Sequence, residues 1–281
     1  MDRKYYLASL LVFFGLGFSC HIFGQTYHCG TVLSPEQVLF EQSNITIAEA
    51  KPTESLPLLN RTLSISVFIV KNKNLPDFST PLVNTAVNSL NGYFTSIGLT
   101  FKICTIDTVK NYQFDDLDVN DNEKDLLIQN SAPNTINLYL VSSVTDSKDS
   151  YATGQTFMPG DVGMNSIFLR KNLITGTELA HQMGHFLGLY HTYETQFGSE
   201  LVGVVNCSTA GDRCCDTPAE PLISTYNNCI YTGTEKDKNG KLYSPSPKNM
   251  MTFGDNCRCV FSKTQLLRMS YMLQTYRKDL R

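Results

Sequence analysis

The chain lacks any excess of one charge. Its 281 residues include 23 basic and 26 acidic side chains, a net charge of −3, too little to build a field of one sign. That excludes a polybasic nucleic-acid binder, and an apolar content of 42% excludes a disordered tail. An integral membrane span is not expected either: the N-terminal apolar run from Tyr5 to Phe18 has 14 residues, where ~20 are needed to cross a bilayer. No internal repeat or low-complexity tract occurs, and histidine is scarce, with five in all. What remains is a chain long enough to bury a full core, with more cysteine, nine residues, than a cytosolic protein keeps without a metal or redox reason.

Arg3 and Lys4 precede the apolar run, and small or polar residues follow through Cys20, Gly24 and Gln25. That pattern reads as a secretory signal over residues 1–24, and hence as a secreted or extracytoplasmic protein. Cys20 offers a competing reading as a lipid anchor, although the large aliphatic residue usual three places before such a cysteine is missing. Loss of the signal takes Cys20 with it and leaves an even number of cysteines in a compartment that permits disulfides. Residues 25–60 carry Pro35, Pro52 and Pro57 and little periodicity, so they are expected to form a pro-segment or N-terminal arm outside the core. Residues 61–281 are expected to form one domain.

Leu63, Ile65, Val67 and Ile69 alternate with Thr62, Ser64, Ser66 and Phe68, the period of a strand. A helix follows, with Thr80 as its cap, Pro81 in its first turn, apolar residues from Leu82 to Ile97 at helical spacing, and Gly98 as its stop. Leu99–Ile106, Ile136–Val141 and Ser166–Leu169 read as further strands. The acidic stretch from Asp115 to Asp125 fails as a calcium loop of the EF-hand type, because Asp121 stands where glycine is required and Leu127 where a bidentate glutamate is required. It is expected to be a solvated turn that starts a helix. Near the C-terminus, Ser262 and Gln265 form a capping box for a helix carrying Leu266, Leu267, Met269, Met272, Leu273 and Tyr276.

The informative segment is Thr175 to His191. His181 and His185 are four apart, so on a helix they project from one face and take two corners of a tetrahedral zinc site. Gly188 can leave that helix in a left-handed conformation, which lets His191 return as a third ligand. Three of the five histidines fall in this eleven-residue pattern.

His181-Gln182-Met183-Gly184-His185-Phe186-Leu187-Gly188-Leu189-Tyr190-His191 resembles the extended zinc motif H-E-x-x-H-x-x-G-x-x-H of metzincin metallopeptidases. Ala180, His191-Thr192-Tyr193-Glu194, Gly211 to Pro218 and Asn249-Met250-Met251 narrow the resemblance to the pappalysin family with its ulilysin-like enzymes, over residue 61 to the C-terminus. The resemblance implies an α+β fold: a mixed twisted sheet with a backing helix, a zinc-binding active-site helix below it, and an irregular, disulfide-tied C-terminal half with a Met-turn at Met251 and a closing helix. It implies zinc as cofactor and peptides or proteins as substrates. It also implies that Asp255, two before Cys257, reads a basic residue after the scissile bond; taken alone, Asp255 is a turn residue.

Two positions depart from the family. Gln182 stands where a glutamate takes the proton from zinc-bound water, and an amide cannot accept that proton at neutral pH. Phe253 stands two after the Met-turn methionine, where such enzymes often carry a tyrosine. Glu178, four before Gln182, lies within reach of it on the helix, yet Thr175 and Glu178 also fit a capping box, and that is the reading preferred. Two functions stand open: a weakened zinc endopeptidase, and a pseudopeptidase that binds peptides or a protein partner.

Cys207, Cys214, Cys215, Cys229, Cys257 and Cys259 allow 15 pairings, so spacing does not set connectivity. The resemblance implies two bridges tying the 207–229 loop to the segment after Met251. It also suggests calcium held by Glu194, Asp212 and Asp216, and a latency thiol at Cys29 over the zinc. Pairing of Cys29 with Cys104 is the alternative to that last role.

Overall fold

The computed structural model describes residues 28–43, 55–71, 78–120, 123–146, 150–161, 165–254 and 257–281. The expected signal, Cys20 and Asp255 lie outside the described residues. The main sheet has five strands: β1 (Arg61–Val70), β2 (Leu99–Val109), β3 (Ile136–Val141), β4 (Gly154–Thr156) and β5 (Ser166–Arg170). Their spatial order is β2-β1-β3-β5-β4. All neighbours are parallel except β4, which pairs antiparallel with β5 at the edge.

The period of two sorts the apolar side chains of these strands into two cores. Leu63, Ile65, Val67, Ile136, Leu138, Leu140, Ile167 and Leu169 face one cluster, and Phe68, Val70, Tyr139, Val141 and Phe168 face the other. β1 is therefore buried on both sides from Leu63 onward, as a central parallel strand must be. On the first face lies α2 (Thr80–Phe94), with Val83, Ala86, Val87, Leu90 and Phe94 buried. Ser79, not Thr80, occupies its N-cap, and no side-chain bond closes that end. The helix runs on as a 3₁₀ turn to Ile97, and Gly98 ends it in the left-handed region at φ 62°.

Two further expectations are corrected. Asp115 is buried and not solvated: Ser142 donates to it through its backbone N–H at 3.0 Å and its hydroxyl at 2.5 Å, and Lys171 pairs with it. The helix expected after it does form, at Glu123–Ile128. Residues 28–43, within the expected N-terminal arm, dock on the domain. His28 bridges Ala152, Gly30 N–H donates to Gly154 O at 2.9 Å, α1 (Pro35–Ser43) follows, and Leu33 packs with Met158 and Tyr190. Local hydrophobic patterning missed this segment because its bonds run to the sheet edge through the backbone, which no side-chain period records. The other correction concerns the bridges. Cys229–Cys257 does join the loop to the segment after Met251, but Cys207–Cys215 closes within the loop, and among the described residues Cys29, Cys104, Cys214 and Cys259 form no disulfide.

Below the sheet lies α3 (Glu178–Phe186) and behind it α4 (Lys263–Tyr276), whose Ser262/Gln265 capping box forms as expected. Between them the described residues are irregular apart from a two-stranded hairpin, Tyr226–Asn227 with Ile230–Tyr231. No helix among the described residues is long and apolar enough to cross a membrane.

Phe94 joins α2 to both halves of the fold: its ring meets Phe101 edge-on at 5.1 Å and Phe261 at 5.4 Å. Phe94→Ala is expected to lower stability by about 3–5 kcal/mol, read as an earlier urea midpoint with unchanged slope; a loss below about 1 kcal/mol would contradict this placement.

Candidate active site

Every residue of α3 is buried. The sheet edge covers one side, and the turn around Met251 lies against the other. Gly184 makes the second contact close: a Cβ there would stand 2.6 Å from Met251 Sδ and 3.2 Å from Phe261. After Leu187, Gly188 adopts φ 89° with Met272 packed where a side chain would project. That turn redirects the chain so that His191 faces the helix again. The left-handed break expected at Gly188 is thus present.

His181, His185 and His191 converge. His185 Nε2 lies 3.2 Å from His181 Nε2 and 3.0 Å from His191 Nε2, and Cys29 Sγ is 3.5 Å from His185 Nε2. Among the described residues, this is where three or more potential metal-ligating side chains meet. Nδ1 of His181 donates to Met250 O at 2.7 Å and Nδ1 of His185 to Leu189 O at 2.8 Å. Those bonds fix the tautomer and leave Nε2 lone pairs pointing at one another. Burial holds the imidazoles neutral, pushing His185 down to about 4 and His181 and His191 well below their ordinary value. Neutral lone pairs crowded in a dry site repel unless a cation lies between them. A tetrahedral ion with Zn–N of ~2.0–2.1 Å and Zn–S of ~2.3 Å separates its ligands by roughly 3.3 Å for N···N and 3.6 Å for N···S. The donor set and its spacing therefore fit zinc.

Two turns support these ligands. Met251 N–H donates to Asn249 Oδ1 at 2.8 Å, and the Asn249 and Gln265 side-chain amides pair with each other at 3.1 Å. Buried Glu220 accepts from the Thr192 hydroxyl, from Thr252 Oγ1 at 2.8 Å and from Tyr226 at 2.8 Å, so it ties the His191 segment to the Met251 turn. The Tyr193 ring stacks on His191 at 4.5 Å, and Phe253 meets Tyr193 edge-on. Glu220 left no mark in the sequence, because Thr192 and Thr252 are 28 and 32 positions away and Tyr226, six away, follows no regular period.

Gln182 is fully buried, and both polar atoms of its carboxamide have partners on two sides. Oε1 accepts from Thr156 Oγ1 at 2.6 Å and Thr31 Oγ1 at 3.3 Å; Nε2 donates to Glu178 Oε1 at 3.0 Å and Cys29 Sγ at 3.2 Å. The capping role expected of Glu178 is wrong. Thr177 occupies the N-cap without a side-chain bond, while Glu178 turns inward to Thr153, Gln182 and Arg258. A buried cation outcompetes a solvent-facing cap for that carboxylate. Cys29 is 7% exposed, and burial, aided by the Glu178 charge, pushes its thiol up to about 11 in the metal-free protein.

The three carboxylates expected to share calcium have separate partners. Glu194 accepts from Thr195 and Gln196 N–H, Asp212 from Cys214 N–H and Thr217, and Asp216 from Ser262 and Thr264 at the start of α4. Glu200, which the sequence did not mark, is the residue packed against the Asp212 turn: a Cβ on Gly211 would meet its carboxylate. Burial and their mutual repulsion push Glu200 up to about 8, and burial foremost pushes Asp212 up to about 7.

Two helix histidines and a third returned by the glycine turn, buried under the edge of a mixed sheet with a methionine turn beneath them, are the arrangement of a metzincin-type zinc metalloprotease. Residues 136–274 match the Peptidase_M43 family, described as pregnancy-associated plasma protein-A. The chain is a pappalysin-like metzincin. It is 26% identical over 231 residues to an extracellular metalloprotease of Arthroderma gypseum, covering 76% of this chain and 73% of that protein. It is 23% identical over 275 residues to one of Verticillium alfalfae, covering 90% and 91%. Mature mirolysin of Tannerella forsythia, solved in complex with a cleaved peptide, shares the fold with a TM-score of 0.58 at 17% identity, over 78% of this chain and 94% of mirolysin. A promirolysin mutant superposes with a TM-score of 0.61 at 15% identity, over 86% and 90%.

Gly184→Ala is expected to cost about 1–3 kcal/mol by overpacking against Met251 and to weaken zinc retention against a chelator. Unchanged retention would show that the Met251 contact does not set the ligand positions.

Proposed function

We propose that this protein is a secreted zinc metalloendopeptidase-type protein in which His181, His185 and His191 hold zinc, Cys29 holds its fourth position, and Gln182 leaves peptide hydrolysis strongly weakened. The observation that carries this reading is the carboxamide at 182, 3.2 Å from the Cys29 sulfur, where hydrolysis needs a proton acceptor. Zinc bound there supplies Lewis-acid polarisation of a carbonyl and acidifies a water. The Nδ1 donors of His181 and His185 orient the ligand rings. Gln182 can hold a neighbour by hydrogen bonds but cannot carry its proton, and general acid–base catalysis is worth ~10²–10⁴-fold. Phe253 offers no hydroxyl for an oxyanion. Asp255 is assigned, on family resemblance, to a basic residue after the scissile bond. The N-terminal charge and apolar pattern, together with relatives named as extracellular, supports export.

A catalytically inactive pseudopeptidase is the second reading, and Gln182 with Phe253 favours it over an active enzyme. The two are separated by cleavage of Arg- or Lys-containing peptides, with zinc content as the check that both must pass. One zinc per chain is expected in the native protein and in Cys29→Ser, with loss in His185→Ala. Cleavage by Cys29→Ser should lie ~10²-fold or more below that of the same protein carrying Gln182→Glu together with Glu178→Gln. Equal zinc-dependent cleavage in the two would overturn the weakened-enzyme reading; folded protein without zinc would overturn both.

Calcium in the irregular half is supported by the Glu200–Asp212 pair, since Glu200 Oε2 is buried without a hydrogen-bond partner. Both carboxyls sit above their unfolded values, so the folded state holds the extra protons. Their contribution to stability is present at low pH and fades as pH rises through about 7 to about 8. The melting temperature in a calcium-selective chelator should therefore be lower at about pH 8.5 than at about pH 6, with added calcium restoring most at the higher pH. No calcium response at either pH would exclude the site.

A further inference from the structure

The direction of the Gln182 carboxamide is set by its neighbours. A carboxylate only accepts hydrogen bonds, so the group 3.0 Å from Glu178 Oε1 is the amide nitrogen, and the oxygen faces the Thr156 hydroxyl at 2.6 Å. A flipped amide would set oxygen against carboxylate oxygen and leave Thr156 facing N–H. Glu178 is itself held from two sides. Thr153 Oγ1 donates to Oε1 at 2.7 Å, and Arg258 Nη1 pairs with Oε2 at 2.9 Å, with the two charged side chains only 5% and 7% exposed. Arg258 Nε also donates to Thr252 O at 3.2 Å and Gly254 O at 2.8 Å, so the ion pair is anchored to the Met251 turn. With one amide hydrogen bound to Glu178, the other points to Cys29 Sγ at 3.2 Å, beside the three Nε2 atoms.

A glutamate at 182 would behave in the opposite way. It would accept where the amide donates, and its carboxylate would face that of Glu178 with no donor between them. The amide and its acidic neighbour form a matched pair.

We propose that Glu178 is a positioning residue: anchored by Arg258 and Thr153, it turns the Gln182 carboxamide so that the metal's fourth position faces a hydrogen-bond donor and takes an anionic acceptor, a thiolate or carboxylate, in preference to a neutral ligand. The inference rests on the zinc-centre reading above. It makes the cleft a receptor for anionic sulfur or oxygen end groups, of which Cys29 is the internal example. It also means that Gln182→Glu alone would set an acceptor against the Glu178 acceptor, 3.0 Å from the present amide nitrogen, and does not by itself restore an unencumbered base.

The test uses the full chain carrying Cys29→Ala, loaded with cobalt(II) as a spectroscopic substitute for zinc. At about pH 8 it is titrated with N-acetylcysteine, read by the sulfur-to-cobalt charge-transfer band, and separately with imidazole, which is neutral there. In the Glu178→Gln background the amide at 182 is free to flip, so thiol affinity should fall about tenfold, the worth of one hydrogen bond to a charged group. Imidazole affinity and the resting cobalt spectrum should change less than about twofold. Gln182→Leu, which removes the donor and leaves Glu178 in place, should produce the same thiol-selective loss and serves if Glu178→Gln does not fold. Unchanged thiol affinity in a folded variant, or equal weakening of both ligands, overturns the proposal while leaving the metal centre intact. A native chain that binds no cobalt overturns the metal centre and the proposal with it.

Discussion

Three buried imidazoles whose Nε2 atoms converge, those of His181 and His191 each within hydrogen-bonding distance of His185, are the constraint around which the molecule is arranged. Each ring must stay neutral, present Nε2 inward and find a partner for Nδ1–H. Met250 O provides that partner for His181 and Leu189 O for His185, so the helix, its terminating turn and the methionine turn are held in one register. The remaining close contacts serve the same arrangement. Gly184 admits Met251, Gly188 admits Met272, and Glu220 gathers Thr192, Thr252 and Tyr226 around one buried carboxylate. A cation at the centre converts the mutual repulsion of the lone pairs into binding energy, which is why metal retention and folding are coupled in such sites.

Around that centre the carboxamide of Gln182 does different work from a carboxylate. It joins α3 to the sheet edge through Thr156, to the N-terminal segment through Thr31 and Cys29, and to the Arg258 ion pair through Glu178. A half-satisfied network of this kind would be costly in a dry interior, and here the amide finds acceptors for its N–H groups and donors for its oxygen. The segment from His28 to Thr31 adds backbone bonds to the edge at Thr153 and Gly154. The thiol is thus delivered by a strand-like approach to the sheet and not by a loose tail.

Much of the fold was legible in short-range patterns because those patterns have short-range causes. The strand period in Leu63–Ile69, the helical spacing from Leu82 to Phe94, the stop at Gly98 and the Ser262/Gln265 cap each report a preference that acts within a few residues. The two-sided burial of β1 was less visible, since Ser64 and Ser66 lie on the face opposite Leu63 and are buried all the same. Glu178 shows where local reasoning misleads. Thr175 and Glu178 have the spacing of a cap, but Arg258 sits 80 positions away in sequence and 2.9 Å away in space, and an ion pair in a dry site is stronger than a cap in water. The disulfides follow the same rule: cysteine spacing restricts nothing until the loop places Cys207 beside Cys215.

By itself the sequence determined the chemistry on offer: three histidines at spacings that a helix and one glycine turn bring together, and an amide where hydrolysis calls for a carboxylate. Those facts are local, set by the rise of a helix and by what a functional group can accept or donate. The tertiary structure decided which partners that amide would have, that Cys29 would stand over the three imidazoles and not bond to Cys104, and that Glu178 would face inward. Those outcomes depend on contacts between segments tens to more than a hundred residues apart. Their energies come from desolvation and geometry, which exist only once the chain has closed on itself.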